Sequence, residues 1–212
     1  LFYMDINFYN SITNKKNPTV IVVLKPSDLF NVNNFPLLLK DIILNLKSVK
    51  NISLKLESNK ITILNTIVNN EILDLIIIKA DNFSKYKAQL DGSLIYKNIS
   101  DNKYEETNVI IGRNILNKKN NYTNDFLTGM AIRSFKFDKY FSDEKNREKK
   151  LTLNVLKDKK FINKFKYDLN LVNSIKETKN LISEPANILY PDSYAKRCLK
   201  LKKFGLKIKI LN

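Results

Sequence analysis

Two prolines six residues apart, Pro185 and Pro191, fix where this chain must turn. The residue before a proline is pushed out of helical geometry, so a helix running to Ser183 has to stop before Pro185. Pro191 instead suits the first turn of a new helix, where its missing N–H is no loss. The run Ser183-Glu184-Pro185-Ala186-Asn187-Ile188-Leu189-Tyr190-Pro191 therefore reads as a turn between two helices. Upstream, Leu171, Ile175, Thr178 and Ile182 share one face of a helix predicted over Tyr167 to Ser183. Downstream, Asp192 favours the positive end of the second helix and Gly205 closes it. Tyr194, Ala195, Cys198 and Leu201 lie on one face of that helix, and Lys196, Lys200 and Lys203 on the opposite, solvated one. Leu206, Ile208 and Ile210 then alternate with Lys207 and Lys209, which predicts a strand. A helix leading into a strand so near Asn212 reads as an α/β unit that the sequence leaves unfinished.

The preceding residues alternate between strand and helix patterns. Met4 to Asn10 and Thr19 to Lys25 read as strands, the second a β-branched run of the kind buried on both faces. Pro36 opens a helix through about Leu46, with Leu37 or Leu38, Ile42 and Leu46 turned to a core. Asn51 to Glu57, Lys60 to Val68 and Leu73 to Lys79 follow as three strands, the first two joined by a tight turn at Ser58-Asn59. Phe83 to Tyr96 is a helix interrupted by Gly92, and Asn108 to Gly112 returns to strand. Tyr122 to Tyr140 is the clearest helix, with Asn124 as its cap. Its Gly129, Ala131 and Ser134 are small enough for another element to approach closely. Leu151 to Leu156 is the last strand, and from Lys145 to Lys166 nine basic residues face two acidic ones. The fold class expected is α/β, with one domain over 1–160 and a second portion over 161–212.

Composition narrows the chemistry. The chain has no histidine, which removes His-dependent triads, His-ligated zinc and imidazole bases within it. Cys198 is its single cysteine, so no intrachain disulfide forms and a reducing compartment is the simplest reading. No apolar run approaches the roughly 20 residues that span a bilayer, so no membrane association is expected. The first residue is Leu1, and no charged-then-apolar leader precedes the first strand. A net charge of +16 would suit an anionic partner such as DNA, with phosphate contacts from the Lys145 to Lys166 segment. Lys, Asn and Ile are in excess together, however, as AT-rich coding produces without selection on charge. The four glycines are scattered, so no glycine-rich loop presents backbone amides to a pyrophosphate.

Three stretches, in this order, resemble one family, the leucyl (cytosol) aminopeptidases. Phe126-Leu127-Thr128-Gly129-Met130-Ala131-Ile132-Arg133-Ser134-Phe135-Lys136-Phe137-Asp138-Lys139-Tyr140 looks like the family's helix ending in an R-S-Y-R-F-D-K-Y-type run. Glu184-Pro185-Ala186-Asn187 with Pro191 resembles its N-E-P-A-N…P segment at the entrance to the catalytic domain. Gly205-Leu206-Lys207-Ile208-Lys209-Ile210-Leu211 is similar to its G-L-K-V-x-V-L strand. Ser183 stands where the family motif has Asn, and the first part of the chain is poorer in glycine than its relatives.

The resemblance implies a macro-domain-like mixed sheet flanked by helices, then a linker helix and an incomplete second α/β domain that begins the peptidase. It implies a cytoplasmic homohexamer acting on peptides, with two divalent ions, zinc or manganese, bound beyond Asn212. No catalytic or metal-binding residue is therefore assigned within the chain. It also implies DNA binding as a second role, since some members of the family bind DNA. Glu184, Pro185, Ala186, Asn187 and Pro191 are read as structural motif residues, with Glu184 and Asn187 hydrogen-bonding backbone at the turn. Arg133 is a candidate contact to another domain or subunit. Asp138 and Lys139 read as an exposed local ion pair at a helix end rather than an acid–base pair.

Overall fold

The structure is a computed structural model, and it describes residues 4–11, 16–35, 39–47, 52–68, 71–81, 83–118, 121–140, 150–157 and 161–211. The chain forms two compact units, Leu1–Val172 and Asn173–Asn212.

Six strands build the first unit: β1 (Met4–Tyr9), β2 (Thr19–Val23), β3 (Ile61–Val68), β4 (Glu71–Lys79), β5 (Glu106–Ile111) and β6 (Leu151–Leu156). They lie in the order β1-β6-β5-β2-β4-β3. Every neighbouring pair is parallel except β3 and β4, which form an antiparallel hairpin in the register Ile63 opposite Ile76 and Ile67 opposite Ile72. This is the mixed sheet flanked by helices that the sequence predicts.

Alternation on the central strands splits the interior in two. Val20 and Val22 of β2, with Ile76 and Ile78 of β4, belong to one apolar cluster. Ile21 and Val23, with Leu75 and Ile77, belong to the other. Both faces of a parallel strand are buried when helices cover both sides, which is why these strands read as unbroken apolar runs. The first cluster is closed by α4 (Lys85–Asp101), α6 (Tyr122–Arg133) and the start of α7 (Phe161–Ser183) through Ile95, Phe126 and Phe165. The second is closed by α1 (Pro26–Leu29), α2 (Lys40–Lys47) and α3 (Ile52–Ser58) through Leu29, Ile43 and Leu56. A short α5 (Arg113–Lys118) follows β5.

Several local expectations differ from what is observed. Asn51 to Glu57, expected as a strand, is occupied by α3 from Ile52 onward. Ile52 and Leu56 are one helical turn apart and buried, while Leu54, which a strand would have placed beside them, is 64% exposed. Ser58-Asn59 is therefore not a hairpin turn. Asn59 N–H donates to the Lys55 carbonyl at 3.1 Å and finishes α3. The α4 helix runs through Gly92 and continues to Asp101, with Ser84 capping its start. The helix from Tyr122 ends at Arg133 rather than Tyr140. There the Ser134 hydroxyl turns back to donate to the Ala131 carbonyl at 2.8 Å. Its N-cap position is Asn121, so Asn124 is not the cap. Pro36, Leu37 and Leu38 lie outside the described residues.

In the second unit, α7 runs to Ser183 and α8 (Pro191–Leu199) begins at Pro191, as the proline spacing predicts. A 3₁₀ turn (Lys200–Phe204) ends at Gly205, whose φ of 84° is left-handed backbone that glycine adopts without strain. The strand expected over Leu206 to Ile210 does not form. A strand needs a neighbour to take up its N–H and C=O groups, and none pairs with this stretch among the described residues.

Candidate functional site

At the turn between α7 and α8, hydrogen bonding falls to residues the motif does not single out. The Pro185 carbonyl accepts from the N–H groups of Ile188 and Leu189, both at 2.9 Å. Ser193 Oγ accepts from Tyr190 N–H at 2.9 Å, and its hydroxyl lies 2.9 Å from the Ile188 and Tyr190 carbonyls. The Glu184 carboxylate reaches across the turn to α8. Both terminal guanidinium nitrogens of Arg197 donate to Glu184 Oε1 at 3.3 Å, so the residue before Pro185 is tied to the second turn of α8. The Glu184 side chain is nearly buried in this contact, whereas Asn187, Ala186, Pro185 and Pro191 are exposed. Neither Arg197 nor Ser193 is marked by the motif or by helical periodicity.

A second constellation lies in the first unit, at the start of β3. Lys60 Nζ is 3.0 Å from Asp91 Oδ1 and 3.0 Å from Asp81 Oδ2, and it also donates to the Lys79 carbonyl. Tyr122 Oη donates to the other oxygen of Asp91 at 2.9 Å. Asp91 is only 2% exposed. Burial holds its carboxyl above the usual carboxylate value, against the lowering influence of Lys60. Burial, followed by the neighbouring Asp91 charge, pushes the Tyr122 hydroxyl well above its ordinary value. Lys60 and Tyr122 each bind one oxygen of Asp91, so the chemistry of the cluster is that of a latch between the hairpin, α4 and α6. No periodic pattern marks it, because Lys60, Asp91 and Tyr122 meet only when the sheet is assembled.

The latch sits beside a close crossing of α4 and α6. A Cβ on Gly92 would fall 1.9 Å from the Phe126 carbonyl oxygen, and one on Gly129 would fall 1.9 Å from that of Gln89. The α4 and α6 backbones can approach this closely only because both positions are glycine. The small face expected around Gly129 is thus used, with Gly92 as its counterpart.

Arg133 is exposed in the last turn of α6, and the structure brings it to none of the other candidate residues. Beyond it, Lys139 Nζ stands 5.2 Å from the centre of the Tyr140 ring, and Phe137 packs edge-on to that ring at 5.7 Å. Among the described residues, no three His, Cys, Asp or Glu side chains gather where a metal ion could be held. No helix there is long and apolar enough to cross a membrane.

No family model matches the chain. It is 31% identical over 140 residues to a probable cytosol aminopeptidase of Ehrlichia ruminantium, which covers 63% of this chain and 27% of that protein. A probable cytosol aminopeptidase of Wolbachia pipientis is 34% identical over 140 residues, covering 63% and 26%. That of Rhodopseudomonas palustris is 33% identical over 90 residues, covering 40% and 18%. The chain thus spans about a quarter or less of the length of the curated relatives it matches. Among solved structures, a tomato leucine aminopeptidase variant superposes with a TM-score of 0.70 at 14% identity, over 95% of this chain and 42% of that one. The bottromycin maturation enzyme BotP, in complex with manganese, gives a TM-score of 0.58 at 8% identity, over 89% and 36%. In sequence the chain is similar to cytosol aminopeptidases, and what it matches is the N-terminal part of those proteins.

Proposed function

We propose that the chain acts as the N-terminal part of a cytoplasmic leucyl aminopeptidase, a metallopeptidase that releases amino acids from peptide N-termini. The observation that carries this reading is the 31% identity over 140 residues to only 27% of a cytosol aminopeptidase. A second feature supports it. Ile182, Leu201, Phe204, Leu206 and Leu211 of the second unit are all exposed, and a catalytic domain continuing the α/β unit would cover them. Exposed apolar rows of this kind mark interaction surfaces.

In this reading the motif Glu184, Pro185, Ala186, Asn187 and Pro191 shapes the passage into the peptidase domain, and Arg133 contacts a neighbouring domain or subunit. The chain serves assembly of a homohexamer and access to the active site. In this reading two divalent ions, zinc or manganese, are held by residues of the peptidase domain beyond Asn212. They would polarise the scissile carbonyl and activate a water there. Two experiments test the assignment. The purified chain, given manganese or zinc, is expected to release no product from a leucyl anilide, and metal-dependent release would overturn the placement of catalysis. Sequencing past the Asn212 codon is expected to find an in-frame continuation carrying a lysine and a cluster of acidic residues; a continuation without them would overturn the family reading.

A second reading, nucleic-acid binding, is favoured by the charge of +16. Binding through phosphates alone would weaken steeply as salt rises. Retention on DNA that is absent at low salt, or insensitive to salt, removes this reading.

A further inference from the structure

The two edges of the sheet differ in charge. At the β1 edge, Asp5 is paired with Lys150 at 2.7 Å. The β3 edge is the eight-residue run Ile61-Thr62-Ile63-Leu64-Asn65-Thr66-Ile67-Val68, without one ionisable side chain. Natural sheets guard such edges with lysines, prolines or bulges, because the unpaired N–H and C=O groups template another strand. Here Ile63 and Ile67 are exposed on one face, with Ile67 at 65%, and Ile72 of β4 stands exposed opposite Ile67.

The hydrogen-bond phase of the hairpin says which groups face outward. Lys79 N–H donates to the Lys60 carbonyl at 3.1 Å, so that pair is hydrogen-bonded. In an antiparallel ladder bonded and non-bonded pairs alternate. Residues 62, 64, 66 and 68 therefore direct their backbone groups to β4, and 61, 63, 65 and 67 direct theirs to the open edge. A two-fold axis through Asn65 would pair 65 with 65 and 63 with 67, all of them outward-directed positions. The side chains match in the same register, with each Ile63 opposite an Ile67 and Asn65 opposite itself. Shifting the axis to residue 64 or 66 would place Asn65 against isoleucine.

This self-matching register selects a second copy as the occupant. A second copy also carries +16, so it is repelled by most of this surface. On β3 that repulsion is least, because the strand is uncharged and Asp74 behind it already accepts hydrogen bonds from Asn65 and Tyr104. We propose that β3 pairs antiparallel with β3 of a second copy about a two-fold axis at Asn65, joining two six-stranded sheets into one. An isologous interface of this kind needs only one self-complementary patch. The pairing does not rest on the peptidase reading and stands or falls apart from it.

Sedimentation of the 212-residue chain tests it. The chain should reversibly dimerise, while Ile67→Lys, an exposed substitution that introduces a charge on each side of the seam, should sediment as a monomer. Asn65→Pro should do the same, since it removes an outward N–H and leaves the ladder to β4 unbroken. Both variants should retain the helix and strand content of the parent by circular dichroism. A chain that stays monomeric as its concentration is raised, or a dimer that survives both substitutions, would overturn the proposal. A nitroxide at position 65, from Asn65→Cys in a Cys198→Ser background, should report a short distance between copies; a long one would overturn the two-fold register.

Discussion

The two compact units carry apolar residues at similar spacing and put them to different use. In the first, every residue of β2 is buried and the large side chains Tyr122, Phe126 and Phe165 are almost fully enclosed. In the second, no residue of α8 is buried, and Ile182, Phe204 and Leu211 are each at least 70% exposed. Amphipathic pattern thus specifies a helix and the face it will offer, but not whether the chain supplies something to cover that face. Residues 4–172 close on themselves, while residues 173–211 hold their shape through local devices: a proline start, the Ser193 hydrogen bonds, the Glu184–Arg197 contact and a left-handed glycine.

If that contrast is right, truncating a core aromatic of the first unit should be the most damaging change of its size. Phe126→Ala would leave a cavity between α4, α6 and the sheet and should cost about 3–5 kcal/mol. Denaturant unfolding of the variant measures it, and a loss below about 1 kcal/mol would mean the first core is looser than its burial implies. Gly129→Ala comes next. A methyl there meets backbone, not a movable side-chain end, so α4 and α6 must separate. The strain of about 1–3 kcal/mol should outweigh the roughly 1 kcal/mol that alanine gains over glycine in a helix. A more stable Gly129→Ala protein would contradict the close crossing.

The buried latch sharpens the same comparison through pH. Asp91 has its folded pKa raised above 3.8 by burial, so the folded chain keeps a proton that the unfolded chain has released. The stability this group contributes is therefore fully present below the unfolded value and is lost as pH rises through the folded one. Asp91→Asn should flatten that part of the stability curve in acid titrations. A curve of unchanged slope there would show that the carboxyl titrates as it does in the unfolded chain.

Much of the fold could be read from residue order because its signals are local. The β-branched run at Thr19, the alternating strands at Ile61 and Leu73, and the proline spacing at 185 and 191 each specify their own element. Where reading failed, a non-local term decided. Ile52, Leu54 and Leu56 fit a strand as well as a helix until the second core takes up Ile52 and Leu56 and leaves Leu54 outside. Leu206 to Ile210 has the alternation of a strand but no neighbour to pair with among the described residues. At the turn, the family-like residues were legible, yet Arg197 and Ser193, which hold it, were not, because a hydrogen-bond partner leaves no periodic trace.

The smallest expected effect is the most discriminating. Phe204 is as large as Phe126, but it is 70% exposed at the end of the 3₁₀ turn. Replacing it with alanine removes little buried area, so stability should change by no more than about 1 kcal/mol. Its ring has one described interaction, with Lys203 Nζ 4.9 Å from its centre, and an exposed cation–π contact of that kind is worth about 0.5–1 kcal/mol at most. Denaturant unfolding of Phe204→Ala beside Phe126→Ala gives the ratio directly. A loss at Phe204 approaching that at Phe126 would mean this aromatic is covered within the chain and would end the distinction between the two units. A near-zero loss leaves its ring available to whatever domain or copy packs against residues 182–211.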